Sequence, residues 1–307
     1  MKIIFMGTPD FAVPSLEKLI SSNHEVIAVF SQPDKPVGRK QIMTPPPVKE
    51  CALKHNIPVY QPQTFKDNES IELVKSLSAD IIVVVAYGKI LPESVLDAPP
   101  YGCINVHASL LPKYRGAAPI QWSVINGDTK TGVTIQQMAE GVDTGDILLV
   151  RKTQIDINET SEELFDKLSY IGADALIDCI VNIDNLVPEK QDESQATYAQ
   201  KITRELSPID WSKSALEVHN LVRGLQTWPC AVTKLNGKNI KIHKTALSSV
   251  TGNKYGCVVD NKNVITVCCG DGKCVDILSL QAEGKKKMDT KSFLLGNSIE
   301  INAVLGE

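Results

Sequence analysis

Asn105 and His107 stand two residues apart at the end of the apolar run GCINV, and Asp143 lies further on in EGVDTGDIL. Residues two apart on an extended segment point to one face, so an amide and an imidazole can address the same bound group. Asp143 lies between Gly141 and Gly145, on a loop free enough to approach them. An amide N–H and an imidazolium stabilise a developing oxyanion, and a neighbouring carboxylate favours the charged imidazole and relays protons. Taken singly, each has an ordinary explanation: a satisfied polar histidine, a strand-end asparagine, an aspartate making a turn. Taken together, and with no obvious nucleophile beside them, they fit direct transfer of a group between two bound substrates.

The elements that must position these residues are legible upstream. Lys2–Gly7 reads as a strand and FAVPSLEKLISS as a helix. EVIAVFSQ, PVYQ, DIIVVVAY and GCINV read as further strands, separated by the helices VKECALKHN and SIELVKSLS. Near-continuous apolar strands alternating with helices predict a parallel sheet covered on both faces. Ligands of such sheets bind beyond the carboxyl ends of the strands, where Asn105 and His107 fall. A dinucleotide or nucleoside triphosphate is not indicated: the first turn, GTPDF, lacks the GxGxxG glycines, and no GxxxxGK[ST] occurs.

A long helix is expected from TSEELFDKLSYIGADALIDCIVNI, with Thr160 and Glu163 as a capping box. Residues from about 184 to 206 are polar and irregular and read as a linker. Beyond Trp211 come one helix, ALEVHNLVRGL, and several short strands, with a hairpin signal at Asn236-Gly237. This pattern suits a small β-barrel, the OB type among the candidates. The 307 residues thus predict two domains. The 43% hydrophobic and 22% charged residues are those of a soluble globular protein. No apolar run approaches the roughly 18 residues of a membrane span, and the N-terminal apolar stretch is too short for a signal-peptide core. Eight cysteines without a CxxC pair predict free thiols in a reducing cytosol. Adjacent Cys268 and Cys269 would point to opposite faces of a strand rather than share a metal. The net charge of −4 is uneven, since residues 207–307 carry an excess of four positive charges. Residues 32–49, QPDKPVGRKQIMTPPPVK, form an unusually long loop carrying Lys35, Arg39, Lys40 and Lys49. By composition alone it is a solvated loop.

NVHASLLPKYRGAAP with EGVDTGDIL resembles the folate-dependent formyltransferases. The resemblance continues through MGTPDFAVPSLEKL, QPDKPVGRK with PPPVK, VVVAYGKILP, YAQKITRELSPIDW and LQAEGKKKM with FLLG, and so covers nearly the whole chain. These segments are similar to the branch of the family that formylates methionine carried on initiator tRNA. The resemblance implies an α/β fold: a Rossmann-like parallel-sheet formyltransferase domain over 1–189, a linker over 190–206, and an OB-like tRNA-binding barrel over 207–307. It implies 10-formyltetrahydrofolate as co-substrate, no metal, initiator methionyl-tRNA as partner, no membrane, and a cytoplasmic enzyme that need be no more than a monomer. It gives Asn105 and His107 to the formyl oxygen and Asp143 to the imidazole and the amine proton. It gives Ser109, Leu110, Leu111 and Pro112, with Ile90 and Leu91, to the folate. Arg115 is left to anchor the loop. Arg39 and Lys40 would meet tRNA phosphates, with Arg223, Lys285, Lys286 and Lys287 as candidates in the C-terminal region. Two positions depart from the family pattern: Gln41, where another basic residue is usual, and Cys230, where glycine is common. A sugar-nucleotide formyltransferase, a non-catalytic RNA-binding protein and a hydrolase that releases formate are the competing readings. The basic loop and the GKKKM tail favour tRNA over a sugar.

Overall fold

The computed structural model describes residues 1–38 and 40–306. The chain divides into two compact units. The first comprises Met1–Gly116, Thr131–Thr153 and Phe165–Ala199. The second comprises Ala117–Lys130, Gln154–Leu164 and the chain from Gln200 onward. Two internal segments thus group with the C-terminal residues, a division that no local signal in the sequence marks.

In chain order, the strands of the first unit are β1 (Lys2–Gly7), β2 (Glu25–Phe30), the hairpin β3 (Lys35–Val37) and β4 (Ile42–Thr44), β5 (Val59–Tyr60), β6 (Ile81–Val85), β7 (Cys103–His107), β8 (Arg115–Gly116), β9 (Lys130–Gln137), β10 (Ile147–Gln154) and β11 (Tyr198–Ala199). Seven of them form one sheet in the order β10-β9-β7-β6-β1-β2-β5. The pairs β1/β2, β1/β6, β2/β5 and β6/β7 are parallel, as the apolar runs predict. Ile81–Val85 is buried at every position because both faces of the sheet are covered. Ile4, Met6, Ile82 and Val84 enter a core closed by Phe65, Val74, Leu91 and Val95.

The helices up to residue 181 are α1 (Val13–Ile20), α2 (Pro47–Lys54), α3 (Asn68–Ser76), α4 (Glu93–Leu96), α5 (Pro119–Ile125) and α6 (Ser161–Val181). The expected capping box holds the start of α6. The Thr160 N–H donates to Glu163 Oε2 at 2.8 Å, and the Glu163 N–H donates to Thr160 Oγ1 at 3.2 Å. Gly172 lets α6 lie against β7 and β9, since a Cβ there would stand 2.9 Å from Val106 Cγ1. Val106 therefore faces α6, and the alternation of the strand turns Asn105 and His107 to the other face.

Several elements differ from the sequence reading. The basic loop is a β-hairpin with exposed Val37, Ile42 and Met43. Part of the expected linker is a strand, with β11 parallel to β8. KTGVTIQQ looks too polar for a buried strand, yet it forms β9, antiparallel to β7, with Thr131, Thr134 and Gln136 buried.

The second unit adds α7 (Ala215–Gly224), β12 (Ala231–Leu235), β13 (Lys238–Thr251), β14 (Val258–Asp260), β15 (Ile265–Cys268), β16 (Lys273–Ala282), β17 (Met288–Asp289) and α8 (Thr290–Gly296). The strands make an antiparallel sheet in the order β12-β13-β16-β15-β14, with β17 on β16. This is the antiparallel β domain that the C-terminal pattern predicts. Asn236 and Gly237 both take positive φ, 51° and 72°, as a tight hairpin turn requires. Trp211, Val218, Val222, Ile242, Val267 and Val275 share its core. All eight cysteines are buried and free. Cys268 pairs across the strands with Cys274, and Cys269 belongs to the core.

Candidate active site

The parallel strands place Gly7, Val85 and His107 toward one edge of the sheet, and the loops that follow them rise there. β7 registers with β6 through Val84–Asn105 and with β9 through Asn105–Gln136 and His107–Thr134. The predicted trio meets at this edge. Asn105 Nδ2 and His107 Nδ1 each stand 3.5 Å from Asp143 Oδ1. Gln136 Nε2 donates to the same oxygen at 2.9 Å, and the Gly116 N–H donates to Asp143 Oδ2 at 2.8 Å. Four donors thus surround one carboxylate whose side chain is 14% exposed. A buried carboxylate needs that many partners to offset its lost hydration.

The hydrogen bonds of His107 also settle its orientation. Nε2 lies 2.9 Å from the Tyr114 carbonyl, which can only accept, so Nε2 carries a proton. Nδ1 faces the Asp143 carboxylate. The imidazolium is the one state of the ring that donates to both neighbours, and Nδ1 is the edge it can offer a reacting group. Among the described residues, no competing nucleophile stands here. Ser109 is fully buried, and its hydroxyl donates to the Lys113 carbonyl at 2.6 Å. Cys103 lies two residues before Asn105, with its thiol pushed up to about 12 by burial.

The polar residues of β9 explain its burial. Thr134 Oγ1 donates to the Ser109 carbonyl at 2.7 Å and accepts from the Leu111 N–H at 3.1 Å, which shapes the SLLP turn. Neither Thr134 nor Gln136 is marked by a sequence motif. A polar strand beside the strand that carries Asn105 and His107 is the signal that could have found them.

Arg115 is 1% exposed and does anchor its surroundings. Its guanidinium donates to Gln191 Oε1 at 2.8 and 3.0 Å and forks onto Glu193 at 2.7 and 2.8 Å. Glu193 holds the guanidinium more basic than usual, and Arg115 in turn holds the Glu193 carboxyl below the ordinary range. Gly116 follows with φ of 112°, and a Cβ there would come within 2.9 Å of the Ala199 carbonyl.

The other expected residues are distributed unevenly. Leu110 and Pro112 are half-buried and Leu111 is buried on the turn after β7. On the loop after β6, Ile90 is 80% exposed while Leu91 is buried in the sheet's core. That loop is tied down by Thr8 and Gln32, which donate to the Tyr87 carbonyl at 3.0 and 3.1 Å. Lys40 is exposed on the β3/β4 turn, and Arg39 lies outside the described residues. Lys49 is not free for phosphate: it donates to both oxygens of Asp34 at 2.8 and 2.9 Å and to Gln61 at 2.8 Å. Arg223 is not a surface residue. It is 4% exposed and donates to the Glu159 carbonyl at 2.8 Å, within the second unit.

The formyl transferase family matches residues 1–180, and its C-terminal domain matches residues 201–298. A methionyl-tRNA formyltransferase from Alkaliphilus oremlandii is 49% identical over 311 aligned residues, covering all of both chains. One from Bacillus subtilis is 47% identical, covering 99% of this chain and 98% of its own. The chain belongs to the methionyl-tRNA formyltransferase family. It is an enzyme of formyl transfer, and the trio occupies the sheet edge within the matched N-terminal region. The N-formyltransferase from Helicobacter canadensis, solved in complex with folinic acid and dTDP-3-aminofucose, shares the fold of the family at a TM-score of 0.69. It is 21% identical and covers 92% of this chain and 99% of its own. Among the described residues, no helix is long and apolar enough to cross a membrane.

Proposed function

We propose that this chain moves the formyl group of 10-formyltetrahydrofolate to the amino group of methionine on initiator methionyl-tRNA. The product is N-formylmethionyl-tRNA for translation initiation. The observation that carries the reading is the convergence of Asn105, His107 and Gln136 on Asp143 Oδ1, in a chain 47% identical to the Bacillus subtilis methionyl-tRNA formyltransferase over nearly its full length.

The neutral amine attacks the formyl carbon. The carbonyl π electrons move to oxygen, and the Asn105 amide and the His107 imidazolium donate to that oxyanion. Asp143 takes the proton released from the amine nitrogen, through a water. The oxyanion then re-forms the carbonyl, the bond to the folate nitrogen breaks, and that nitrogen leaves with the proton that Asp143 had taken. No covalent enzyme intermediate is required, which agrees with the buried Ser109 and the neutral Cys103. The turn Ser109–Pro112 with Ile90 and Leu91 forms the folate side. Exposed Ile90 and half-buried Leu110 offer apolar surface to the pterin, while Ser109 and Leu91 shape the wall from beneath. Lys40, with Arg39, meets tRNA phosphate. The transfer chemistry belongs to residues 1–189, and residues 207–307 hold the tRNA. The enzyme works as a cytoplasmic monomer, without metal or membrane.

A sugar-nucleotide acceptor is the second reading, because the Helicobacter canadensis neighbour shares the fold. Formyl transfer from 10-formyltetrahydrofolate is measured with methionine-charged initiator tRNA and with an amino-sugar nucleotide in parallel. Formylmethionyl-tRNA is the expected product. Transfer to the sugar alone would overturn the acceptor while leaving the trio in place.

A further inference from the structure

We propose that the segment 189–199, linker by sequence, is a strap that positions the catalytic trio, and that Gln191 is its principal positioning residue. The inference rests on the trio assigned above. The strap is tied to both loops that carry it. On one side, the Glu189 and Ile147 backbones exchange hydrogen bonds at 2.7 and 2.8 Å, just past the Asp143 loop. On the other side, the Arg115 N–H donates to the Thr197 carbonyl at 2.8 Å, and the Tyr114 N–H donates to Thr197 Oγ1 at 2.9 Å. Tyr114 is the residue whose carbonyl holds His107 Nε2.

Gln191 joins the two sides. Its Nε2 donates to the Asp143 carbonyl at 2.9 Å and the Gly145 carbonyl at 2.7 Å. Its Oε1 accepts from the buried Arg115 guanidinium. Asp143 has φ of 54°, in the left-handed region that a non-glycine residue keeps only when its surroundings hold it there. Gln191 supplies that restraint at the carbonyl, while the Gly116 N–H supplies it at the carboxylate. A positioned carboxylate in turn fixes the His107 ring, whose Nδ1 stands 3.5 Å from Asp143 Oδ1. Loosening it lets the carboxylate and the ring drift out of the geometry that transfer needs.

Gln191→Glu is the informative variant. It keeps an acceptor for Arg115 but removes both donations to the Asp143 loop. Gln191→Glu and Gln191→Ala should lower kcat by about 10- to 100-fold, the scale of an ångström-sized misplacement. KM for charged tRNA and for 10-formyltetrahydrofolate should stay within about threefold, because Gln191 touches neither substrate region. Thermal melting separates this from unfolding, since Gln191→Glu retains the Arg115 link. Wild-type kcat in Gln191→Glu, or a loss carried by KM instead of kcat, would overturn the inference. His107→Ala is measured beside it: if that variant keeps wild-type kcat, the trio itself is wrong. If it is inactive while Gln191→Glu is normal, only the strap reading falls.

Discussion

Asp143→Asn tests the centre of the site. The carboxylate receives four donors: Gly116 N–H on Oδ2 at 2.8 Å, and Gln136, Asn105 and His107 on Oδ1 at 2.9, 3.5 and 3.5 Å. An asparagine of the same shape carries one acceptor. If its oxygen faces Gln136, its NH2 meets the Gly116 N–H, donor against donor. If it turns over, the NH2 meets Gln136, Asn105 and His107 instead. Leaving one buried N–H unpaired costs roughly 1–3 kcal/mol, and stability should fall by about that amount. The catalytic loss should be larger, because the variant lacks the carboxylate proposed to receive the amine proton. General acid–base catalysis contributes about 10²- to 10⁴-fold, so kcat should drop at least about 10²-fold, on the order of 2.7 kcal/mol in the barrier. The assay is single-turnover formyl transfer with both substrates saturating, beside urea unfolding of the same variant. A kcat within about tenfold of wild type would refute the role of Asp143. So would a loss confined to KM.

Lys40→Ala should weaken binding of charged tRNA and flatten its dependence on salt by roughly 0.7–0.9 in the log–log slope, the share of one phosphate contact; an unchanged slope would take Lys40 off the phosphates. Hydrogen bonds from Lys49 and Gln61 hold the Asp34 carboxyl below its ordinary range. That stabilisation is complete above the unfolded value of about 3.9 and is lost as pH falls through the folded value. Lys49→Met should therefore lower the urea midpoint at pH 7 and converge with wild type in strong acid; a pH-independent difference would contradict the pairing. Cys230 adopts φ of 68° while buried, so relief of backbone strain opposes loss of packing in Cys230→Gly. The melting shift should be small, within about 1 kcal/mol, whereas the β-branched Cys230→Val should destabilise by more than that; equal shifts would count against a left-handed constraint there.

Much of this protein is decided by its sequence alone. The strands β1, β2, β6 and β7 are apolar at successive positions because both faces of a parallel sheet are covered, and that pattern is local. The capping box at Thr160 and the Asn236-Gly237 turn are local chemistry too, with their hydrogen bonds and positive φ encoded within four residues. Asn105 and His107 share a face because a strand alternates. Other features depend on residues distant in the chain. β9 looks too polar to be buried until Thr134 and Gln136 find Ser109, Leu111 and Asp143 across the fold. Arg223, an exposed cation by composition, is buried because the carbonyls of Asp156 and Glu159 come to it. The meeting of Asp143 with His107 over 36 residues, and the strap that brings Gln191 and Glu193 onto Arg115, exist only once the chain has closed on itself. Hydrogen bonds between distant segments leave no periodicity in a sequence, so only the tertiary structure decides them.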